Sequence, residues 1–444
     1  MWKLFAWYFR ISLIMRILVC LAAGAAAGGM LWAAAQSGAG NQAASILRVI
    51  EPFGTVFVHM LKMIVIPVVF FSLVSGASHL AVGRFGRVGL RVIGWYLLCS
   101  LIAAVVGACL AMLINPGSGA DLAEWQAMAQ AAEPAPVTAA PAISGTAALA
   151  QMVYRMFTNP FEALATGNFL PIIVFSILFG LAVRVSMERA ASKEDSDRLA
   201  GLMGIVEACR DAMFRLVGWI LEYSPVGVFA LTAVNFGRYG PAIVGPYVSV
   251  TIGVVAGIGV MVLCIYPGLM LATTRRNPFP VLGRMKEAMI MALVTRSSAA
   301  TLSVSIRTAE ERLGVRNELA GFSLPLGSTI NMDGVCVHLP MFAVLAANMF
   351  GIQLSVSGLA VLVITTVLAS IGAGGVPGGS LMLLFVILET MGLRPEQVAT
   401  VVALALGINP ILDMFETMNN VTGDLVCTYV VAENEHLIGE ADIG

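Results

Sequence analysis

Apolar residues occur in long stretches that short polar segments separate. Several stretches exceed the roughly 20 residues that a transmembrane helix needs. They are 11–35, 45–78, 92–115, 148–186, 205–236, 241–273, 318–350 and 398–430. Segments 280–306 and 355–390 are moderately apolar and are interrupted near the middle by small residues, which predicts two re-entrant hairpins. The pattern predicts an all-α polytopic membrane protein with eight transmembrane helices plus two re-entrant helical hairpins.

Lysine and arginine residues are concentrated between the apolar stretches. The clusters lie at the N-terminus, at 84–91, at 184–198, at 275–286 and at 307–316. If both interrupted segments are re-entrant, even numbers of crossings separate the clusters, so all of them fall on one side. The positive-inside rule makes that side cytoplasmic, and both termini are expected there.

Composition agrees with a membrane location and excludes other classes. Of 444 residues, 59% are hydrophobic and 11% are charged, and the mean hydropathy is +0.89, which is too apolar for an ordinary soluble protein. A net charge of −1 with dispersed basic residues gives no surface for nucleic acid. The seven cysteines stand singly and are interpreted as packing residues.

The last apolar stretch carries polar side chains on one face. They are Asn409, Asp413, Glu416, Thr417, Asn420 and Asp424. A carboxylate at the centre of a bilayer costs about 3 kcal/mol, and three on one helical face repel unless cations lie between them. The run predicts a cation-binding site, with a structural polar seam between helices as the alternative.

A second polar group, GSTINMDG at 327–334, interrupts the stretch 318–350. Gly327 and Gly334 flank Asn331 and Asp333, which predicts a locally unwound helix whose oxygen atoms coordinate a hard cation such as sodium. The alternative is a glycine-containing kink with a buried asparagine.

The interrupted segments supply the remaining candidates. In 295–303, Arg296, Ser297 and Ser298 lie at the predicted turn, where helix N-termini point N–H groups at an anion such as an α-carboxylate. Arg296 either contacts the ligand or neutralises an acid. The glycine-rich run 370–380 permits bending, as a gate requires, and a plain loop is the alternative.

Neither an enzyme nor a channel is favoured by these residues. Ser297 and Ser298 have no histidine or lysine at an informative spacing, so no nucleophilic catalysis is expected. An ion channel needs a continuous pore, whereas two hairpins favour an occluded site. His338 shares a predicted helix with Asp333 and is interpreted as a helix-interface histidine, with a place on the cavity as the alternative.

Several motifs resemble the dicarboxylate/amino-acid:cation symporter family, the glutamate-transporter homologues. They include LKMIVIPVVFFSLVSGAS, TNPFEALATGNFLP, YSPVGVFAL, TRSSAATL, LPLGSTINMDG, ASIGAGGVPGG and ILDMFETMNNVTGD. The resemblance implies a glutamate-transporter-like elevator fold, a homotrimer, and a transport domain that moves against a scaffold. Scaffold helices are then expected in 1–80 and, with the outer loop, in 116–240. The transport domain is expected in 81–115 and 241–430, and a cytoplasmic tail in 431–444.

The resemblance also implies two or three sodium ions. Residues matching a first site are Gly327, Asn331, Asn420 and Asp424. Residues matching a second, mostly backbone-built site are Thr329, Ser370, Ile371 and Ala373. Residues matching a third site are Tyr96, Cys99, Ser100, Asn331 and Asp333. The family usually has threonine in place of Cys99, and a thiol is a poor sodium ligand.

Substrate contacts are carried over in the same way. Ser298 and Val376 match backbone contacts of the hairpin tips, Asp413 matches the acceptor of the substrate's α-amino group, and Thr417 and Asn420 match further polar contacts. The predicted substrate set also includes Arg296, Ser297, Val335, Gly378 and Glu416.

Glu416 is the main departure from the family. Members that carry acidic amino acids have arginine there, and a carboxylate opposite a substrate carboxylate repels it. We therefore expect a neutral or cationic amino acid, without preferring either. Glu416 would pair with an amine or guanidinium, accept from a hydroxyl or amide, or be satisfied by Arg296. Leu339 replaces an acid of proton- and potassium-coupled members, which favours sodium alone.

The sequence thus predicts a sodium-coupled amino-acid symporter in the cell (inner or plasma) membrane. Its expected partners are an amino acid, sodium, membrane lipid and two further copies of the chain, without nucleic acid. The alternative is a sodium- or proton-coupled symporter for dicarboxylates or acidic amino acids.

Overall fold

The computed structural model describes residues 11–78, 86–118, 154, 157–166, 168–190, 192–373, 375 and 377–439. Within these ranges the chain is helical apart from turns and one antiparallel bridge, Val315 to Ile438. The helices are Leu13–Ala34 (α1), Gly40–Ser78 (α2), Gly86–Ile114 (α3), Pro160–Thr166 (α4), Phe169–Glu188 (α5), Lys193–Tyr239 (α6), Val244–Val260 (α7), Tyr266–Thr274 (α8), Pro278–Arg284 (α9), Lys286–Thr295 (α10), Ser298–Arg307 (α11), Asn317–Ile330 (α12), Asp333–Phe350 (α13), Val356–Ser370 (α14), Gly379–Thr390 (α15) and Pro395–Asn434 (α16). The prediction of an all-α protein is confirmed.

Six helical stretches in the described ranges are long and apolar enough to cross a membrane. Two of them, Met15–Ser78 and Lys193–Thr274, have 64 and 82 residues, well above the roughly 20 that one crossing needs. A glycine with positive φ divides each: Gly38 at +101° and Gly240 at +56°. Glycine adopts this conformation without steric cost, so the chain changes direction there.

Two predicted spans differ most from the structure at their N-terminal ends. The span predicted from residue 205 begins as α6 at Lys193, because Ser192 caps the helix by accepting from the Asp195 N–H at 3.1 Å. This polar first turn is stable at a helix N-terminus but is invisible to an apolar pattern. The span predicted at 148–186 contains two helices, α4 and α5, and its first residues lie mostly outside the described ranges.

The helices fall into two packing groups. The first group is built on the long helix α6, which contacts α1, α2 and α5. The second group is built on α13, which contacts α3, α7, α15 and α16, and α12 joins this group by packing against α16. The helix α13 is buried along almost its whole length, so it forms the centre of the second group.

Both interrupted segments form pairs of contacting helices. The first joins α10 to α11 through Arg296, whose φ of +53° is left-handed, and Ser297, whose Oγ accepts from the Ala300 N–H at 3.1 Å. The second joins α14 to α15 through the glycine-rich run. Paired helices at these positions are as predicted.

Basic residues of several clusters meet at the C-terminal end of α16. Arg91 forms an ion pair with Glu435, and Arg276 forms one with Glu433 at 3.0 Å. The Arg316 N–H donates to the carbonyl of Leu437 at 3.0 Å. These contacts agree with the prediction that these clusters share one side. The predicted outer loop lies outside the described residues beyond 118.

Candidate functional site

A small cavity lies where the two hairpin turns approach α13 and α16. Its volume is about 10 Å³, which is room for about one water molecule and far below the usual range for small-molecule sites. The predicted residues that line it are Ser298, Val335, Ala373, Asp413, Glu416, Thr417 and Asn420. The structure therefore brings together side chains from most of the predicted substrate set. Met332, Gly375, Gly379 and Ser380 also line it, and sequence reasoning did not assign them.

The two hairpin turns are in direct contact through one peptide group. The carbonyl of Gly375 accepts from Ser297 Oγ at 2.9 Å and from the Ala299 N–H at 3.2 Å. Gly375 has a φ of +64°, and a Cβ on it would lie 2.3 Å from the carbonyl oxygen of Ser328. Only glycine fits this position. Val376, the predicted contact beside it, lies outside the described residues.

Asp413 lies at one end of the cavity and is 4% exposed. Its Oδ2 accepts from the Gly378 N–H at 3.2 Å and lies 3.8 Å from Arg296 Nη1. Both contacts use Oδ2, so Oδ1 is available to an ammonium group. This geometry agrees with the role that the family resemblance implies for Asp413.

Arg296 balances Asp413 rather than Glu416. The guanidinium is buried at 8% exposure, and its Nε has no hydrogen-bond partner among the described residues. The possibility that Arg296 satisfies Glu416 is therefore wrong. Arg296 ends α10 in a left-handed conformation, and its guanidinium lies beside Asp413 of α16.

Glu416 instead faces His338, a residue of α13. The distance from His338 Nδ1 to Glu416 Oε1 is 2.5 Å, and the two side chains are 0% and 1% exposed. His338 is buried between α13 and α16 and is absent from the cavity lining, which agrees with its interpretation as a helix-interface histidine, although neither ring nitrogen makes a hydrogen bond to the described residues. Gly334 explains the approach: a Cβ on it would lie 2.3 Å from the carbonyl oxygen of Glu416. His338 follows Gly334 by one helical turn on the same face.

The first predicted sodium site assembles at the break between α12 and α13. Asn331 and Met332 have non-helical backbones, so the predicted unwinding is confirmed. Asn331 Nδ2 donates to Asp424 Oδ1 at 2.9 Å, while the buried Asn331 Oδ1 has no partner among the described residues. A free amide oxygen beside a carboxylate is the donor set that a hard cation needs. Gly327 lies against the same carboxylate.

Asn420, the remaining predicted ligand of the first site, uses both ends of its side-chain amide in hydrogen bonds to other residues of the chain. Its Oδ1 accepts from the Gly334 N–H at 2.6 Å, and its Nδ2 donates to Met332 Sδ at 3.3 Å. These contacts fix the amide between the ion site and the cavity. Asn420 can therefore transmit the position of one site to the other.

The second predicted site lies at the C-terminal end of α14. Ser370 Oγ donates to the carbonyl of Val367 at 2.8 Å, and Thr329 Oγ1 donates to that of Leu326 at 2.7 Å. Ile371 caps α14 and Ala373 follows it. The last carbonyls of a helix carry partial negative charge, so this end suits a cation held mainly by backbone.

The third predicted site is only partly assembled. Asp333 accepts from Ser100 Oγ at 3.0 Å and from the Tyr266 hydroxyl at 2.7 Å. Cys99 contacts Cys427, with 3.5 Å between the sulfur atoms. The Cys99 sulfur thus has its neighbour on α16 and makes no hydrogen bond to Asp333 within the described residues. Tyr266 was missed, although a tyrosine in the apolar stretch 241–273 could have suggested it.

Tyr96, the remaining predicted ligand, donates elsewhere. Its hydroxyl bonds the carbonyl of Ser323 at 2.8 Å. The same oxygen would be 2.7 Å from a Cβ on Gly327, so Tyr96 borders the first site. Among the described residues no three histidine, cysteine or acidic side chains converge as transition-metal ligands, whereas oxygen atoms dominate these sites.

Comparison with known proteins gives a consistent result. Residues 13–434 match the model of the sodium:dicarboxylate symporter family. The proton/glutamate-aspartate symporter of Escherichia coli is 29% identical over 392 residues, covering 88% of this chain and 86% of that protein. The proton/sodium-glutamate symport protein of Bacillus caldotenax is 29% identical, with 87% and 88% covered. The C4-dicarboxylate transport protein of Azorhizobium caulinodans is 28% identical, with 88% and 83% covered.

Proposed function

The chain belongs to the sodium:dicarboxylate symporter family, and from this premise we propose that it is a sodium-coupled symporter for amino acids with neutral or cationic side chains. Membership makes it a cation-coupled symporter and a multi-pass protein of the plasma membrane. The proposal adds the identity of the cation and the class of the substrate. It also makes the chain a transporter and not an enzyme.

Glu416 is the observation that carries the substrate class. Glu416 lines the cavity, and the nearby guanidinium of Arg296, which is not part of the cavity lining, lies beside Asp413. Arg296 therefore does not offer a substrate's side-chain carboxylate a cationic partner beside Glu416. Two like charges about 4 Å apart repel by up to about 4 kcal/mol at an effective dielectric constant near 20, a factor of about 1,000 in affinity.

Acidic substrates form the second candidate function, since relatives are named for glutamate, aspartate or C4-dicarboxylates. Those names describe the relatives. The residue at position 416 of this chain favours the first candidate, because a buried acid replaces the arginine that the family resemblance leads us to expect.

Sodium coupling rests on the oxygen donors around Asn331 and Asp424. The free Asn331 Oδ1 and the Asp424 carboxylate would hold one ion, and the end of α14 a second. A third ion is disfavoured because Cys99 is turned to Cys427. Sodium would neutralise Asp424 and fix Asn331, after which Asn420 and the hairpin turns close the cavity around the substrate.

Alternating access is proposed as an elevator movement in a homotrimer with cytoplasmic termini. The two packing groups support a division into a scaffold, with α1, α2, α5 and α6, and a transport domain, with α3 and α7–α16. Lys62 on α2 lies 3.6 Å from Glu389 on α15, a contact between the groups that the movement would break.

Uptake into proteoliposomes tests the function. An inward sodium gradient is expected to drive accumulation of a labelled neutral or basic amino acid, and potassium in place of sodium is expected to abolish it. The matched control is Asp424→Asn, which removes one carboxylate charge from the first ion site. Uptake driven equally well by a proton gradient without sodium would refute sodium coupling. Preferential uptake of glutamate or aspartate would refute the substrate class.

A further inference from the structure

A second cavity lies between the two packing groups. It has a volume of about 200 Å³, compared with about 10 Å³ at the candidate substrate site. One wall is formed by α2 through Lys62, Val65 and Ile66, and another by α15 through Phe385 and Glu389. The end of α4 forms a third side. Because α2 belongs to the group built on α6 and α15 to the group built on α13, the cavity spans the boundary of the proposed elevator movement.

This cavity is separate from the candidate substrate site. The two cavities have no described lining residue in common. Both are lined by α15, but Gly379 and Ser380 line the substrate site near the N-terminal end of that helix, whereas Phe385 and Glu389 line the second cavity near its C-terminal end. The helix rises by about 14 Å from Ser380 to Glu389. A ligand in the second cavity therefore leaves the substrate site free and still contacts the same helix.

Two opposite charges lie together in the wall of the second cavity. The distance from Lys62 Nζ to Glu389 Oε1 is 3.6 Å, and the two side chains are 48% and 27% exposed. This distance is longer than that of an N–H···O hydrogen bond. The ammonium group and the carboxylate therefore both retain hydrogen-bonding capacity for a ligand.

A ligand that carries both charges suits this wall better than a single ion does. An anion at Lys62 would be repelled by Glu389, and a cation at Glu389 would be repelled by Lys62. A zwitterion places its carboxylate on Lys62 and its ammonium on Glu389, and both contacts are charge-assisted hydrogen bonds. Val65, Ile66 and Phe385 offer apolar surface to its carbon atoms. We propose that the second cavity is an inhibitory site for a small zwitterion with a primary ammonium and a carboxylate, such as glycine or β-alanine.

Inhibition follows from the position of the cavity between α2 and α15. This step rests on the proposed function, in which α15 moves against α2 and the contact between Lys62 and Glu389 breaks. A bound zwitterion holds the two helices together, since charge-assisted hydrogen bonds on both sides replace one partly exposed ion pair. The substrate site stays intact. The ligand therefore lowers the maximal uptake rate and leaves the KM of the substrate unchanged.

Uptake in the presence of β-alanine tests the inference. Proteoliposomes with the full chain receive the best labelled substrate of the parent, and millimolar β-alanine is present on both sides of the membrane. The maximal rate is expected to fall several-fold at an unchanged KM. Glycine betaine has both charges but no N–H donor, and it is expected to inhibit about 10-fold more weakly. β-Alanine is also expected to stabilise the purified chain against heat when the substrate site is already saturated.

Variants of the two charged residues connect the effect to the cavity. Lys62→Met and Glu389→Gln are expected to weaken β-alanine about 10-fold in both assays, relative to each variant's own rate without it. Both positions are partly exposed, so these variants are expected to fold. The double variant Lys62→Glu/Glu389→Lys keeps both charges in reversed order and is expected to restore part of the inhibition.

Glu51→Gln is the matched control for these variants. Glu51 pairs with Arg238 at 2.7 Å between α2 and α6, and each side chain is 39% exposed. The substitution thus removes a charge from a comparable ion pair on the same helix, but Glu51 does not line the cavity. Inhibition by β-alanine in Glu51→Gln is expected to equal that in the parent.

The outcomes distinguish this inference from the proposed function. Inhibition that raises KM at an unchanged maximal rate places β-alanine in the substrate site and overturns the inference. Equal potency in the parent, Lys62→Met and Glu389→Gln overturns it, and so does the absence of both inhibition and stabilisation. These results leave sodium coupling and the substrate class intact. If sodium-driven uptake fails while β-alanine stabilises the parent and not the two variants, the proposed function is wrong and the zwitterion site is supported.

Discussion

Gly375→Ala offers a direct test of the contact between the hairpin turns. The new Cβ would lie 2.3 Å from the Ser328 carbonyl oxygen, and that atom belongs to backbone and cannot rotate away. The turn must shift, which breaks the two hydrogen bonds that the Gly375 carbonyl accepts. Each is worth about 1 kcal/mol, and the left-handed φ of +64° adds about 1–2 kcal/mol for an L-residue.

The total cost of the substitution is about 3–4 kcal/mol. It destabilises only the arrangement in which the two hairpin turns are in contact. Because substrate binding requires that arrangement, the apparent dissociation constant of the substrate is expected to rise about 100- to 1,000-fold. The assay is thermal stabilisation by the substrate in sodium, together with uptake into proteoliposomes. The protein without substrate is expected to remain folded, since the turns can separate.

Gly392→Ala is the matched control. Gly392 also has a positive φ, +81°, but a Cβ on it would meet no atom within 4 Å. It therefore carries the same conformational cost without the steric one. Substrate affinity in Gly392→Ala is expected to stay within a few-fold of the parent. If Gly375→Ala binds substrate as tightly as Gly392→Ala does, closure does not depend on contact between the turns.

Further predictions concern ions, specificity and movement. Glu416→Arg is expected to transport glutamate weakly, and the double variant Glu416→Arg/His338→Gln more strongly, as measured by competition in uptake assays. If neither variant gains glutamate transport, residue 416 does not contact the substrate's side chain. Asp424→Asn should lower sodium affinity at least 10-fold in titrations of thermal stability, because a first-site charge is lost; unchanged affinity would place the ion elsewhere. Cys99→Thr should raise sodium affinity, since a hydroxyl replaces a thiol, and a lower affinity would contradict this. Lys62→Met should change stability by less than about 1 kcal/mol, because the pair is partly exposed, yet alter the uptake rate; an unchanged rate would argue against a moving contact.

The fold was largely predictable because membrane insertion imposes a strong pattern. Long apolar stretches predict membrane helices, and the glycines around Asn331 and the small residues of the hairpins mark where the helices are interrupted. The break at Asn331 and Met332 and the paired helices of the hairpins follow from it. The start of α6 at Lys193 could not be predicted in this way, because the polar first turn after Ser192 has the same composition as a solvent-exposed loop.

The residues that form the site were largely predictable, whereas the contacts between their side chains were not. Helical periodicity places Asp413 and Glu416 on one face, but it cannot say which neighbouring helix supplies a partner. Arg296 lies beside Asp413, and His338 lies beside Glu416, where Gly334 lets the two helix backbones touch. Such pairings depend on inter-helix distances of a few ångströms, which no pattern along one chain encodes.

The contact between His338 and Glu416 has an evolutionary consequence. A change at either position alone leaves the other group buried without its partner, so each substitution is harmful until the second occurs. The two positions are therefore expected to show epistasis and to change together among relatives. A lineage that acquires Glu416 without histidine at position 338 would leave the buried carboxylate without this neighbour, so the two residues are expected to occur together.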